Sequence, residues 1–521
     1  MGEMQVTVTS LAQCLDNTSR LVGDQIFISY EGQTHTFTEF DLKTSQLANV
    51  FKAHGAETGD VIGLYLPSSP EMALGYWACQ KIGAIANPIS GMNRVHEVRS
   101  TVKRTGMKVM LTSKETLPYA LEVQQETGKP ETIFVTGGAT EGAHDADSLI
   151  DSADKTCSIP DFKADDIVAL FFTSGTTGEP KGATQTQLSQ YTTLRDMAVH
   201  GGLLWGKEVF LCALPLFNNF GATCMMNGAI FSGAKMIQLE RWDTEAVLET
   251  ITREKVTYLA GSPTMFLYLL REFDPTRHDL SSLKTCVTGG SPVSPNVMQQ
   301  FEEKMGVPLL QIYGATESTG YVTGEPPFGI RKRGSAGVPI GGSRISIVDD
   351  NGVEVPHGEV GEVRISGDTI GAGYWGDAET TAASFTSEGW LSGDLGYLDE
   401  DGYLFIVDRK KDVIISGGYN IYPLEVEDLL YQHPDIRVCA VIGLPDESKS
   451  EIPVAVVIPH AGHKLDGAAI IAYCRKNLSA YKSPRRVYTV DDMPLGPSNK
   501  ILKRTLRDWH TEGQGKLKEV Q

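Results

Sequence analysis

The sequence has no two cysteines at C-x-x-C spacing, although it contains eight cysteines in 521 residues. It therefore has no zinc-site pattern, and a disulfide framework is not expected in a chain this long. No apolar run approaches the roughly 18 residues that a membrane span requires. We expect reduced, largely buried thiols and no membrane-spanning helix.

Basic residues are too few for a general nucleic-acid surface. The chain has 46 Lys and Arg against 65 Asp and Glu, so its formal charge is −19. The negative net charge does not exclude binding of small anionic ligands, because that binding depends on local cations and backbone N–H groups. The first residues lack the basic region and apolar core of a secretory signal. We expect a cytoplasmic protein that binds no nucleic acid, and the oligomeric state is not readable.

Short β-rich runs alternate with helical patterns through most of residues 1–350. Continuous apolar strands separated by helices are typical of layered α/β folds with largely parallel sheets. The expected strands are 61–67, 108–113, 131–137, 167–175, 208–216, 235–240, 258–263 and 286–292.

The pattern changes after about residue 335. Two hairpins are predicted to turn at Asn351-Gly352 and Asp401-Gly402, which indicates a small antiparallel β unit. A basic stretch from Arg409 then leads into another α/β pattern. We predict a large N-terminal domain over 1–408, with a β-rich subdomain near 335–408, and a smaller α+β domain over 409–521.

The most informative segment is FFTSGTTGEPKGA, residues 171–183. Small residues let the backbone approach a polyphosphate, and a lysine adds positive charge. The segment is not an ordinary P-loop, because Pro180 precedes the lysine and Gly182 follows it. Composition alone leaves a flexible surface loop as an even alternative. The candidate phosphate-binding residues are Thr173, Ser174, Gly175, Thr176, Thr177, Gly178 and Lys181.

The order of residues in this segment resembles the signature loop of the adenylate-forming superfamily, which includes acyl-CoA synthetases, luciferases and peptide-synthetase adenylation domains. Further segments resemble its other signatures in order: VTGGSPVSP (287–295), YGATES (313–318), WLSGDLGYLDEDGYLFIVDRKKD (390–412) and MPLGPSNKILKRTLR (493–507). The chain is identified as a member, in the AMP-forming acyl-CoA synthetase branch. The resemblance covers residues from about 30 to 507.

The resemblance implies ATP and coenzyme A as co-substrates, Mg²⁺ as cofactor, a small carboxylic acid as substrate and a mobile C-terminal domain. It makes Lys500, Thr316 and Glu317 catalytic, with Glu317 also holding the metal, and Lys411 the hinge. The implied nucleotide site adds Gly289, Gly290, Ser291, Tyr313, Gly314, Ala315, Asp394 and Arg409. CoA would pass Ser416, Gly417 and Gly418, and the acyl pocket would include Phe217, Asn218, Asn219 and Ser262.

Each of these assignments has a plainer alternative. Outside the family pattern, Asp394 is a turn carboxylate, Arg409 a solvated charge and Lys500 a surface lysine. The glycine pair at 417–418 is a tight turn.

Three positions depart from the family pattern. Asn218 stands where many relatives have a histidine, Gln187 lies near a second expected histidine, and Asn499 replaces the glycine before the catalytic lysine. A role carried over to Asn218 is therefore doubtful. Asn tolerates left-handed backbone angles, so the loop geometry at 499 can survive.

Other functions remain to be separated from acyl-CoA ligation. The alternatives are an adenylating enzyme that loads a carrier protein or another acceptor, a luciferase, and a non-catalytic nucleotide sensor. Retention of Glu317, Asp394, Arg409 and Lys500 argues against the sensor. The lining residues suit an uncharged aliphatic or aromatic acid.

Overall fold

The computed structural model describes residues 9–173, 180–446, 448–496 and 501–520. The chain divides into two compact units, Met1–Ile345 with Ile365–Trp390 and Ser346–Arg364 with Leu391–Gln521. Over the described ranges, no helix is long and apolar enough to cross a membrane.

A mixed sheet of nine strands, counted over the described residues, lies in the first unit. Its order is β16-β15-β14-β13-β12-β10-β11-β1-β2. The six strands from β14 to β1 in that order are parallel to one another. Its strands are β1 (Ile26–Tyr30), β2 (Gln33–Thr36), β10 (Val209–Cys212), β11 (Lys235–Gln238), β12 (Tyr258–Gly261), β13 (Thr285–Thr288), β14 (Leu309–Gly314), β15 (Tyr321–Gly324) and β16 (Val338–Pro339).

A second sheet of this unit has seven strands among the described residues, in the order β7-β6-β5-β3-β4-β8-β9. All its pairs are parallel except β8 with β9. Its strands are β3 (Val61–Leu66), β4 (Ile85–Ser90), β5 (Val109–Ser113), β6 (Thr132–Thr136), β7 (His144–Asp145), β8 (Ile167–Thr173) and β9 (Lys181–Thr186). Every residue of β3 and β4 is buried, as expected for central parallel strands.

Helices of the first unit connect these strands. They are α1 (Leu11–Val22), α2 (Phe37–Ala53), α3 (Pro70–Ile82), α4 (Val95–Thr105), α5 (Leu117–Thr127), α6 (Ala146–Ser152), α7 (Gln187–His200), a π-helix (Phe220–Asn227), α8 (Gly228–Phe231), α9 (Thr244–Glu254), α10 (Pro263–Glu272), α11 (Pro295–Met305) and α12 (Ala378–Ser384).

Local signals in the sequence begin several of these helices. Ser10 and Gln13 form a capping box at the start of α1, and Thr36 and Glu39 form another at α2. Between the first helices, the buried ammonium of Lys81 contacts two carboxylates, Asp16 at 2.9 Å and Asp41 at 2.6 Å. A buried charge requires such partners, so this pairing fixes how α1, α2 and α3 pack.

The second unit is built mainly of antiparallel strands. The chain passes between the units inside β17 (Arg344–Val348), β18 (Gly361–Ser366) and β20 (Gly389–Leu398), while β21 (Leu404–Arg409) pairs with β20. The two residues of β19 (Phe385–Thr386) pair with Gly389 and Trp390, in the first unit.

The remainder of the second unit is an α+β arrangement. Its strands are β22 (Ile414–Ser416), β23 (Tyr419–Ile421), β24 (Ile436–Asp446), β25 (Ser450–Pro459), β26 (Arg486–Thr489) and β27 (Lys518–Glu519). Its helices are a 3₁₀ turn (Lys410–Asp412), α13 (Pro423–Leu430), α14 (Gly467–Asn477) and α15 (Lys503–Thr511). The buried faces of α13 and α14 pack on β24 and β25 around Val426, Val441 and Ile470.

The predicted fold class is confirmed, and the expected strands of the first 300 residues are found with ends displaced by a few residues. The turn at Asp401-Gly402 joins β20 to β21, and the turn at Asn351-Gly352 leads to a single bridge between Val348 and Glu354. All the cysteines are free, and all but Cys157 are buried.

The grouping of the β-rich segment differs from the predicted boundary near 408–412. Residues 346–364 and 391–409 group with the C-terminal part. Their strands pair with one another, and Lys410 contacts Asp350 and Glu362 at 2.9 Å each. Compactness does not test motion, so the mobile domain stays a prediction.

Candidate active site

Four neighbouring parallel strands of the nine-stranded sheet end at one edge. The loop carrying Asn218 and Asn219 follows β10, Ser262 follows β12, Gly289 follows β13, and Tyr313 lies at the end of β14. The Gly289 N–H donates to the carbonyl of Gly261 at 3.2 Å, which ties two of these ends together. Carboxyl ends of parallel strands are where open α/β sheets bind ligands. The residues predicted to bind the acyl group and the adenine therefore lie at the same ligand-binding edge of the sheet.

The predicted phosphate loop joins the antiparallel strands β8 and β9. Thr173 pairs with Lys181 across this hairpin, and its hydroxyl donates to the Lys181 carbonyl at 3.4 Å. Arg104 braces the end of the loop by donating to the Pro180 carbonyl at 3.0 Å. The other residues predicted to bind phosphate lie outside the described residues: Ser174, Gly175, Thr176, Thr177 and Gly178.

Lys181 and Glu317, predicted to serve phosphate and metal, meet at one aromatic side chain. The Tyr374 hydroxyl donates to Glu317 Oε1 at 2.9 Å, and Lys181 Nζ lies 5.1 Å from the centre of the Tyr374 ring. Burial, and next the Glu317 carboxylate, raise the pKa of Tyr374, so its hydroxyl stays protonated and can donate. One tyrosine thus contacts both side chains, Lys181 through its ring and Glu317 through its hydroxyl.

The side-chain amides of Gln185 and Asn219 hold the turn that carries Thr316. Gln185 Nε2 donates to the Thr316 carbonyl at 3.2 Å and to Asn219 Oδ1 at 2.7 Å. Asn219 Nδ2 donates to the Thr319 carbonyl at 2.8 Å, and Thr223 Oγ1 donates to Asn219 Oδ1 at 2.7 Å. Thr319 has φ +62°, an unfavourable value for a β-branched residue. The amides therefore hold a strained turn at the candidate site.

This polar network continues into the core. Gln190 Nε2 donates to Gln185 Oε1 at 2.5 Å and to Thr223 Oγ1 at 3.1 Å. Asn227 Nδ2 donates to Gln190 Oε1 and to the Tyr76 hydroxyl, each at 3.2 Å. All of these side chains are buried. Neutral amides, which do not titrate, thus support the region where the family pattern led us to expect histidine.

The departures at 187 and 218 are explained in part by local contacts. Gln187 is buried, and its Oε1 accepts from the N–H of Leu11 at 3.1 Å, so it satisfies the start of α1. Asn218 is half-buried, and its backbone accepts from the Ala222 N–H at 2.9 Å, next to the π-helix. π-helical turns are rare and are frequent at functional sites.

Phe217 and Ser262 take different positions at this edge. The Phe217 ring packs against the main hydrophobic core, whereas Ser262 lies just before α10, and its Oγ is buried without a hydrogen-bond partner among the described residues. An acyl-pocket role for either residue stays a prediction.

Asp394 and Arg409 are brought together in the second unit. They occupy paired positions of β20 and β21, and Arg409 Nε lies 2.6 Å from Asp394 Oδ1. Asp394 is only 4% exposed, and its N–H donates to Ser392 Oγ. A buried carboxylate needs a partner for its charge, and the guanidinium supplies one. The two predicted nucleotide residues are therefore neighbours, and their ribose-binding role stays a prediction.

The predicted hinge residue Lys411 lies in the 3₁₀ turn between β21 and β22. Burial lowers the pKa of Lys411, and Asp412 beside it opposes that effect. Asp412 also pairs with Arg507 of α15 at 3.0 Å. The predicted catalytic Lys500 and its neighbour Asn499 lie outside the described residues.

The glycine pair at 417–418 forms a tight hairpin turn. Ser416 pairs with Tyr419, and Gly417 and Gly418 have φ of +59° and +83°. Two positive φ values in a two-residue loop are those of a type I′ turn. The plainer reading as a turn is therefore confirmed, and passage of CoA along it stays a prediction.

Sequence reasoning missed Tyr374 and Gln185. The signal available for Tyr374 was an aromatic pair between glycines, GAGYWG at 371–376. Its contact with Glu317 spans 57 positions of the chain. No spacing rule connects residues so far apart.

Known proteins are similar to this chain along most of its length. The AMP-binding enzyme family matches residues 15–375, and the AMP-binding enzyme C-terminal domain matches residues 425–500. The chain therefore belongs to the AMP-binding enzyme family, and its predicted membership of the adenylate-forming superfamily is confirmed.

Among curated relatives, a feruloyl-CoA synthase of Amycolatopsis sp is 33% identical over 496 residues, covering 92% of this chain and 95% of the relative. A long-chain-fatty-acid–CoA ligase of Bacillus subtilis (strain 168) is 30% identical over 543 residues, covering 98% and 96%.

Among solved structures, the anthranilate CoA ligase AuaEII with anthranoyl-AMP has a TM-score of 0.90 at 27% identity, covering 99% of this chain and 100% of that one. The o-succinylbenzoate coenzyme A synthetase of Bacillus subtilis with ATP and magnesium has a TM-score of 0.83 at 29% identity, covering 95% and 99%.

Proposed function

We propose that this protein is an ATP-dependent acid–CoA ligase. It converts a carboxylic acid and ATP into an acyl-adenylate and pyrophosphate, then transfers the acyl group to CoA and releases AMP. The observation that carries the proposal is family membership along nearly the whole chain, together with relatives named as CoA ligases.

In the first half-reaction, a carboxylate oxygen of the acid attacks the α-phosphorus of ATP, and the bond to pyrophosphate breaks. Lys181, at the end of the phosphate loop, attracts the phosphates, while Thr316 donates near the reacting oxygens. Holding both reactants at one sheet edge removes much of the entropic barrier. Lys500 would add positive charge where the two anions meet.

The donor set of the first unit fits one Mg²⁺ shared with ATP. The described residues contain no group of three His, Cys, Asp or Glu side chains able to hold a metal alone. Mg²⁺ often takes one or two carboxylates and completes its shell with phosphates and water. Glu317, half-buried and held by a tyrosine, is the residue that would bind it. When bound, Mg²⁺ offsets the negative charge of the phosphates.

In the second half-reaction, the CoA thiol gives up its proton to solvent and its sulfur attacks the adenylate carbonyl carbon. The bond from that carbon to the bridging phosphate oxygen breaks, and AMP leaves with the oxygen. We assign ribose binding to Asp394 and Arg409, the change of conformation to a hinge at Lys411, and the path of the pantetheine arm to Ser416, Gly417 and Gly418. The smallest side chains suit a narrow path for that arm.

The acyl substrate is an aliphatic or aromatic acid that carries no charge apart from its reacting carboxylate. Apart from Glu317, the segments at the sheet edge that are proposed to line the pocket, 217–226, 262–265, 289–291 and 314–320, contain no Asp, Glu, Lys or Arg. A charged tail would be desolvated there without a partner. Relatives named for feruloyl and long-chain fatty acyl groups support this class.

The test is ATP–pyrophosphate exchange with a panel of aliphatic, aromatic and dicarboxylic acids, followed by mass analysis after adding CoA. We expect exchange that depends on one of the uncharged acids, and a thioester of the matching mass. Exchange without a thioester would favour loading of a carrier protein or another acceptor. Absence of acid-dependent exchange across the panel, with ATP still bound, would contradict the enzyme function.

Glu317→Gln tests the proposed metal residue. The substitution removes the charge that would bind Mg²⁺ and leaves Asp394 to hold the nucleotide. We expect catalysis at limiting Mg²⁺ to fall more than ATP binding. Wild-type rates at limiting Mg²⁺ would exclude Glu317 as the ligand.

A further inference from the structure

We propose that Tyr374 is a positioning residue that orients the Glu317 carboxylate for Mg²⁺. The observation is the contact of one hydroxyl with that carboxylate, at 2.9 Å, from a segment 57 positions further along the chain. The inference rests on the metal role of Glu317 proposed above. It adds a residue that acts through Glu317 and does not touch the reacting atoms.

Main-chain hydrogen bonds hold the Tyr374 segment on both sides. The Gly371 N–H donates to the Glu317 carbonyl at 2.9 Å, and the Trp375 N–H donates to the Gly182 carbonyl at 2.8 Å. The Gly373 carbonyl accepts from the N–H and the hydroxyl of Thr184, at 3.0 and 2.8 Å. The segment therefore joins the Glu317 turn to β9, and these hydrogen bonds fix the backbone that carries the tyrosine.

Close approach of the backbone at Gly371 explains how this arrangement is reached. A Cβ at this position would lie 2.0 Å from the Thr184 carbonyl oxygen. Only glycine lets the segment pass between β9 and the Glu317 turn.

The hydroxyl narrows the orientations open to a half-buried carboxylate. A free glutamate side chain samples several rotamers, and a metal ligand must occupy one of them. A carboxylate has about four lone-pair sites, so one bond to Tyr374 leaves capacity for a cation. Partners of this kind fix metal ligands in many sites, and their removal typically lowers metal affinity about 10–100-fold.

The ring has a separate contact that permits a clean test. Lys181 Nζ lies 5.1 Å from the ring centre, within the range of a cation–π interaction. Tyr374→Phe deletes the hydroxyl and keeps the ring, so the lysine contact survives. The matched control is Tyr65→Phe, because the Tyr65 hydroxyl donates to the Asn93 carbonyl at 2.5 Å and lies away from the site residues in the sequence and in the hydrogen-bond network.

The experiment measures Mn²⁺ binding by electron paramagnetic resonance, with the full chain and a non-hydrolysable ATP analogue. We expect Tyr374→Phe to weaken Mn²⁺ binding about tenfold. We expect Tyr65→Phe to change it less than about twofold, since it alters no metal partner. Binding of the analogue in excess chelator should be the same in both variants and the wild type.

Glu317→Gln and the double variant decide how Tyr374 acts. If it acts through Glu317, the double variant binds Mn²⁺ as weakly as Glu317→Gln alone, because the two effects are not additive. Additive losses would overturn the positioning role.

Four other outcomes are also decisive. Normal Mn²⁺ binding in Tyr374→Phe, with weak binding in Glu317→Gln, overturns the inference and keeps the metal assignment. Normal binding in Glu317→Gln overturns both. Equal losses in Tyr374→Phe and Tyr65→Phe would indicate general destabilisation and would also overturn it. Failure of acid-dependent exchange in the wild type, with the expected Mn²⁺ pattern, contradicts the ligase function and leaves the inference standing.

Discussion

Replacing Asn219 by leucine should destabilise the first unit strongly. The side chain is 9% exposed and makes three hydrogen bonds, to Gln185, Thr223 and Thr319. Leucine has a similar size and can make none of them. Gln185 keeps its bond to the Thr316 carbonyl with one amide hydrogen, so three groups lose their partner: the second Gln185 N–H, the Thr223 O–H and the Thr319 carbonyl.

The magnitude follows from those three groups. Each buried polar group left without a partner costs about 1–3 kcal/mol. The expected loss in the free energy of unfolding is therefore roughly 3–9 kcal/mol before relaxation, and it is reduced where the strained Thr319 turn relaxes. The same relaxation should move Thr316, so adenylation should slow even in the folded fraction.

Urea unfolding of the full chain, followed by tryptophan fluorescence, measures this loss. The matched control is Asn218→Leu, because the side chain of its half-buried neighbour makes no hydrogen bond to another described residue. We expect that control to stay within about 1 kcal/mol of the wild type. Equal unfolding midpoints for the two variants would refute the view that Asn219 supports the turn.

Three further predictions concern the second unit and its surroundings. Lys500→Ala should slow adenylation sharply and spare thioester formation from a supplied acyl-adenylate; equal losses in both half-reactions would count against the assignment. Lys411→Pro should still form acyl-adenylate and transfer it poorly to CoA, because proline fixes φ near −65°; rapid transfer by a variant with normal thermal unfolding would exclude the hinge. Burial raises the pKa of Asp408 to about 6 from 3.8. A carboxyl with a raised pKa favours folding at low pH, and that contribution, up to about 3 kcal/mol, is lost as the pH rises from about 4 to 6. Asp408→Asn should therefore flatten the fall in unfolding temperature between pH 4 and 7, and an unchanged slope would contradict the burial argument.

The buried strands of the first unit could be predicted because their sequences are continuous apolar runs. Val61–Leu66 and Val109–Ser113 lie within two residues of their predicted ends. Periodicity and turn residues are local signals, so they locate such elements well. The same holds for the hairpin at Asp401-Gly402, whose glycine supplies a φ of +82°.

The polar supports of the site could not be predicted. Gln185 and Asn219 meet across 34 positions, and each reads as an ordinary amide in its own segment. The π-helix over Phe220–Asn227 has an apolar sequence that fits an α-helix as well. Tertiary packing determines both features, and the local spacing of residue types does not reveal tertiary packing.

The compact grouping of 346–364 with 391–521 is not readable from sequence order, for a related reason. Sequence order places both β segments beside the first unit, whereas strand pairing and the Lys410 contacts join them to the second. Pairing between distant strands depends on register, which a single sequence reveals weakly.

The segment from Gly371 to Trp375 has a practical consequence for engineering this protein. Its attachments are made mainly by backbone atoms, at alternate residues and on both sides. Variant libraries can therefore randomise the side chain at Ala372 with little loss of folding. Insertion or deletion of one residue would shift the donors away from their acceptors, so this stretch should accept substitution at Ala372 but no change of length, while Gly371 and Tyr374 must stay.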